Sequence, residues 1–243
     1  MATTYLTRTQ VAGNRSTFTQ SFWFKLSGTG DQTFIASFND SNNYNYCYID
    51  SSTQQLSLQW KKSGSVVAQK NTTRKFTDPS AWYHVVYAID TTQASGGDRI
   101  KLYVNGVLET EFSSNIAPGQ ITTEVNDNGT TQYIGSVDGS QQYFNGSMSY
   151  VAQIDGTAEL PGIFGETDST TGEWKIKTTI TPSVAWGNNG FLILKNGNSL
   201  TDESTNSNNF TLSGGTLTNT EDCPDNNFAT WNKSIGYTDA LTN

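Results

Sequence analysis

Hydrophobic and polar positions alternate singly along most of this chain. In Thr17 to Leu26, TFTQSFWFKL, Phe18, Phe22 and Phe24 share one face, while Trp23 and Lys25 share the other. That period of two is the signature of a strand. Thr33 to Phe38 reads as a second, short strand. In Asn45 to Asp50, Tyr46, Tyr48 and Asp50 oppose Cys47 and Ile49, and in Gln55 to Trp60 the inward residues are Leu56, Leu58 and Trp60. Trp82 to Asp90, WYHVVYAID, is apolar on both faces, as expected of a strand enclosed between two layers. Arg99 to Val104 follows, then Asn105-Gly106, a type I′ hairpin signal that predicts a returning strand over Val107 to Phe112. Clusters of Ser, Gly, Asn and Asp at 27–30, 39–43, 63–64 and 95–98 mark the turns between strands.

The second half is sparser. Asn126 to Gly129 precedes the short strand QYIGS. Asn145-Gly146 introduces SMSYVAQID, which ends in a turn at Asp155-Gly156. After Pro161 the polar loop of Phe164 to Lys177 leads into a Trp-containing strand, and Phe191 to Leu194 and Asn208 to Leu212 are short strands. The tail from Cys223 has no periodicity and is expected to be irregular but packed, because Phe228 and Trp231 need an apolar environment. No linker or internal repeat interrupts the chain. About a dozen strands with no helical pattern predict an all-β fold, an antiparallel β-sandwich. Residues 1–160 form its core, and 161–243 are an extension packed on the same domain.

Taken in order, TFTQSFWFKL, WYHVVYAID, RIKLYVNGVL and YIGS…YFNGSMSYVAQID resemble the concanavalin A-like jelly roll, in its laminin G-like and pentraxin-like branch. The resemblance runs from about Tyr5 to Asp155 and implies a jelly roll of lectin-like type. YLTRTQVAGNR near the start and FGETDSTTGEWKIK…GNNGFLIL…DNNFATWN near the end resemble stretches of marine bacteriophage virion proteins. They imply a virion surface component, such as a capsid decoration or fibre-associated domain. Its expected partners are neighbouring virion proteins, host-surface glycan, or further copies of itself as a homo-oligomer.

Composition supports a loop-rich β protein. Of the 243 residues, 34% are hydrophobic, 12% aromatic and only 15% charged, so Thr, Ser, Asn, Gln and Gly supply the polar bulk. The net charge of −8 repels a phosphate backbone, and no basic run with interleaved aromatics occurs, which disfavours nucleic acid. No stretch reaches the ~18 apolar residues of a membrane span. The opening MATTYLTRTQ has no apolar segment of signal-peptide type, so synthesis in a host cytoplasm is expected. Cys47 and Cys223 read as two unrelated thiols, with a disulfide between them left open.

The chemistry-bearing candidates are few. His84 is the only histidine; with no second ligand or adjacent carboxylate it reads as a strand residue rather than a base or metal ligand. A glycan hydrolase of the laminarinase-like type is the alternative. It needs carboxylates alternating on one strand, yet only Glu109-Thr110-Glu111 comes near that pattern, so the chain reads as non-enzymatic. A purely structural virion protein without a ligand is the other alternative. The resemblance implies calcium at the rim, where hard oxygen ligands would be Asn39, Asp40, Asn43 and Asp138. The same residue types are ordinary turn formers. For carbohydrate, Tyr44, Tyr46 and Tyr143 offer stacking faces, with Gln141 and Gln142 beside them for hydrogen bonds.

Overall fold

The structure, a computed structural model, describes residues 3–226. Phe228 and Trp231 lie outside the described residues. In chain order the strands are β1 (Tyr5–Thr9), β2 (Thr17–Leu26), β3 (Gln32–Asp40), β4 (Asn43–Ile49), β5 (Gln55–Lys62), β6 (Ser65–Lys75), β7 (Tyr83–Asp90) and β8 (Ile100–Val104). They continue as β9 (Val107–Leu108), β10 (Phe112–Ile116), β11 (Thr131–Ile134), β12 (Gly146–Asp155), β13 (Gly165–Thr167), β14 (Trp174–Ile176), β15 (Phe191–Ile193) and β16 (Thr211–Gly214). One sheet has the order β10-β6-β5-β4-β3-β11-β1-β16, the other β15-β12-β2-β7-β8-β9, and β13-β14 is a separate hairpin. All ladders are antiparallel.

The core forms where the inward faces of the two sheets meet. Phe22 and Phe24 of β2 reach Phe34 of β3 at ring-centroid distances of 4.9 and 4.4 Å, and Cys47, Leu56, Trp60, Tyr87 and Ile89 close around them. The Cys47 thiol contacts the Tyr87 hydroxyl, and both cysteines are free. β7 is apolar on both faces for a physical reason: its second face is also covered. Val86 and Ala88 pack under Phe164, Ile180, Trp186 and Leu192 of the segment after Pro161. That segment also adds β15 to one sheet, beside β12, while β16 joins the other beside β1.

Three features differ from the sequence expectation. The strand expected to return over Val107 to Phe112 ends after Leu108, where Glu109 takes a hydrogen bond from Arg74 Nε at 2.7 Å. The chain then crosses to the opposite sheet, and β10 pairs with β6. β6 itself, SVVAQKNTTRK, carries little apolar alternation because Lys70 occupies an inward position. Its ammonium lies 4.1 Å from the Phe112 ring centroid and donates to Asn115 Oδ1 at 2.9 Å. Finally, Asp155 is far more than a turn residue. It is 6% exposed and accepts the Asn14 N–H at 2.7 Å, the Asn189 N–H at 3.0 Å and the Asn126 amide at 3.0 Å. It ties the loops after β1 and before β11 and β15 to the end of β12.

Candidate functional site

The outer face of the eight-stranded sheet carries the candidate surface. On β4 the parity that sends Cys47 and Ile49 into the core sends Tyr44, Tyr46 and Tyr48 outward. Tyr46 stacks on Tyr48 with centroids 4.6 Å apart, Tyr44 meets Tyr46 edge-on at 5.2 Å, and Phe38 of β3 stacks on Tyr44 at 5.9 Å. Gln59 on β5 fixes the pair from the side: its Oε1 accepts the Tyr44 hydroxyl at 3.1 Å and the Tyr46 hydroxyl at 3.4 Å. Burial raises the pKa of all three tyrosines, so each phenol stays protonated. Rings locked by neighbours lose little entropy on binding, which favours a stacking platform.

Tyr143 lies in the loop after β11 and reaches the same cluster through Tyr5 and Tyr133, the latter packed against it. Tyr5 sits between Tyr143 and Tyr133, at 6.0 and 6.2 Å. Gly139 completes the packing. It adopts φ +83°, and a Cβ there would lie 3.1 Å from the Tyr5 ring. Gln141 and Gln142 serve the loop itself. Gln141 Nε2 donates to Asp138 at 2.9 Å, and Gln142 Oε1 accepts the Thr33 hydroxyl at 3.0 Å. Of the residues expected to contact glycan, Tyr44 and Tyr46 are brought together, and Tyr143 joins Tyr5 and Tyr133. Phe38, Tyr48, Gln59 and Tyr133 belong to the same face. For Tyr48, Gln59 and Tyr133 the signal was present in the sequence, because each has the parity opposite to the core residues of its own strand; Phe38 shares the parity of the core residue Phe34, and β3 carries a register shift between Thr33 and Ile35.

The residues expected to hold calcium do not assemble an oxygen cage. Asn39, Asp40 and Asn43 occupy the β3–β4 turn, whereas the loop of Asp138 joins the other end of β3, where Thr33 N–H bonds Gln142 O. Seven residues of strand separate the two ends, roughly 20 Å. Asp40 already accepts from the Asn42 N–H at 2.7 Å and the Asn43 amide at 3.0 and 3.1 Å, and these bonds lower its pKa. Asp138 is desolvated, which works in the opposite direction, but bonds from Ser140 and Gln141 hold its pKa down. Both are closed Asx turns. Among the described residues no group of three His, Cys, Asp or Glu could hold a metal ion.

His84 is fully buried on the covered face of β7. Its ring stacks on Trp23 at 4.6 Å, and Trp174 Nε1 donates to Nδ1 at 3.0 Å. The remaining proton therefore sits on Nε2, which donates to Ser21 Oγ at 2.8 Å. Desolvation lowers its pKa to about 3. A neutral imidazole with both nitrogens occupied and no carboxylate partner is a packing residue. Of the acids considered for hydrolysis, Glu109 is engaged with Arg74.

This two-sheet topology has counterparts among known proteins. The family model for the concanavalin A-like lectin/glucanases superfamily matches residues 2–158, and the chain belongs to that superfamily. A candidate carbohydrate-binding protein from Bacteroides ovatus is similar in fold, with a TM-score of 0.59 at 17% identity; the match covers 90% of this chain and 58% of that one. The heptameric pentraxin of Limulus polyphemus is similar with a TM-score of 0.47 at 18% identity, over 65% of this chain and 72% of that one. Domains LG4–5 of the mouse laminin α1 chain match with a TM-score of 0.42 at 12% identity, over 61% of this chain and 38% of theirs. No curated protein sequence matches the chain. No helix of the described residues is long and apolar enough to cross a membrane.

Proposed function

We propose that this protein is a non-catalytic carbohydrate-binding module whose binding surface is the outer face of the eight-stranded sheet. The observation that carries the reading is the Phe38–Tyr44–Tyr46–Tyr48 cluster. These aromatic rings stand on a rigid sheet, with Gln59 as a hydrogen-bonding neighbour, and membership of a lectin-containing superfamily supports it. Carbon-bound hydrogens on one face of a pyranose can stack on such rings, while amides and phenols meet its hydroxyls. The test is affinity electrophoresis or calorimetry against a panel of soluble polysaccharides and a glycan array. Binding that weakens in Tyr44→Ala, with the fold retained, supports the reading. No binding across the panel overturns it and favours a face that contacts only protein.

We further propose, from the resemblance of the terminal stretches, that the module is displayed on a virion as a capsid decoration or fibre-associated domain. Its presence in purified particles would support this, and its absence from them would overturn it.

A further inference from the structure

Five Asn-Gly pairs occur in the chain, at positions 105–106, 128–129, 145–146, 189–190 and 196–197. Such a pair carries its own reactants. The glycine nitrogen, once deprotonated, can attack the asparagine Cγ, because no glycine Cβ keeps the two atoms apart. An N–Cγ bond forms, the Cγ–Nδ2 bond breaks and ammonia leaves, which closes a succinimide ring. Water then opens the ring to aspartate or isoaspartate, so one water is consumed for each ammonia released. The step needs a glycine N–H without another partner, an amide able to turn onto it, and solvent.

The fold withholds at least one of these from four of the pairs. Asn105 Oδ1 accepts the His84 N–H at 2.8 Å, and Gly106 lies against the Trp174 ring. The Gly129 N–H donates to Gln10 O at 3.0 Å. Gly146 stands in the β12 ladder opposite Leu26, where a Cβ would overlap the Lys25 carbonyl. Asn189 is fully buried with its amide bonded to Arg8 and Val11, and the Gly190 N–H donates to Gly187 O at 3.2 Å. Asn196 and Gly197 are different. Both are exposed in the turn after β15, Gly197 has φ +61°, and its N–H meets no acceptor among the described residues. A single exposed hydrogen bond holds the Asn196 amide, from Nδ2 to Glu203 Oε1 at 2.9 Å, and such a bond costs only about 1 kcal/mol to break.

We propose that Asn196 is a site of spontaneous, one-way modification, converting to aspartate or isoaspartate in the native protein ahead of the other four pairs and so loosening its own turn. The product sets a carboxylate where an amide N–H had faced Glu203, and two like charges repel there. The turn they strain is closed by the Leu194 N–H to Ser199 O at 3.1 Å and the Ser199 N–H to Asn196 O at 3.3 Å. Its Asn198 amide donates to Leu217 O at 3.2 Å, which ties the turn to the segment 216–225; the two together line a cavity of about 640 Å³. The modification therefore acts on one wall of that cavity. It is independent of the glycan-binding reading, which concerns the other sheet.

The test ages the full chain in mildly alkaline buffer and follows each Asn-Gly pair by peptide mass spectrometry, with isoaspartate detected by enzymatic methylation. In the native protein the 196–197 peptide converts about tenfold or more faster than each of the other four. In denaturant the five rates draw together, because the fold no longer withholds the four. A more acidic species appears on isoelectric focusing at the same rate, and Asn196→Gln removes that early species. Asn196→Asp, as a mimic of the product, exchanges the Leu194 and Ser199 amide hydrogens faster than the wild type, and adding Glu203→Gln restores their protection. Conversion of any other pair before Asn196 in the native protein overturns the inference. So does an early acidic species that survives Asn196→Gln, or unchanged exchange at Leu194 and Ser199 in Asn196→Asp.

Discussion

Trp174 donates its indole N–H to His84 Nδ1 at 3.0 Å, ninety residues away in the chain, and so pins the β13–β14 hairpin onto the covered face of β7. The bond requires a neutral imidazole. A proton on Nδ1 would face the indole N–H as a second donor, inside an apolar box of Trp23, Phe164 and Trp174.

This gives a pH dependence of stability with a definite sign. His84 has a folded-state pKa of about 3 against an ordinary value near 6.5, so between those values the unfolded chain binds more protons than the native one. Its contribution is fully present above pH 6.5 and is lost as pH falls toward 3. The loss totals about 5 kcal/mol across the window. Urea denaturation between pH 7 and pH 4 should show this slope, and His84→Gln should remove it. A wild-type profile flat from pH 6.5 to 4 would contradict the assignment.

Gly106→Ala should destabilise the protein by about 2–3 kcal/mol, through a left-handed backbone and overpacking together. Gly106 has φ +78°, and a Cβ there would meet the Trp174 ring at 2.5 Å. The expected readout is a lower melting temperature with a perturbed tryptophan emission. Gly129→Ala has a similar φ, +84°, but an open surrounding, and should cost less.

Asp155→Ala should lower stability by about 3 kcal/mol or more, because buried N–H groups of Asn14 and Asn189 and the Asn126 amide lose their acceptor. Asp40→Ala, at an exposed turn, should fall within about 0.5 kcal/mol of wild type. Denaturant midpoints of the two variants measure the difference directly.

Cys47 should resist alkylation in the native protein and react only after unfolding. It is fully buried, and desolvation raises its thiol well above the ordinary range, partly offset by the contact with Tyr87. Cys223 is half-buried and should be modified first. Peptide mapping after brief iodoacetamide treatment distinguishes the two, and equal labelling of both would show that the core opens at this strand.

Single-residue alternation by itself determined much of this protein. The parity of β4 and β5 separated the core face from the outer face, and that of β2 and β7 separated two buried faces, because a strand places neighbours on opposite sides whatever it packs against. Asn105-Gly106 fixed a hairpin for an equally local reason: both residues adopt positive φ, 47° and 78°. The tyrosines of β4 were legible as surface candidates on the same grounds. Tertiary structure alone decided what no local pattern encodes. β6 has too little apolar alternation to announce itself, and its place is set by the β5 and β10 neighbours that take up its hydrogen bonds. Asp155 reads as a turn residue until three loops, distant in sequence, converge on its carboxylate. The supposed calcium ligands separate because β3 holds them at opposite ends. Local sterics are written in the sequence; which strands become neighbours is a choice made by burying the whole core at once.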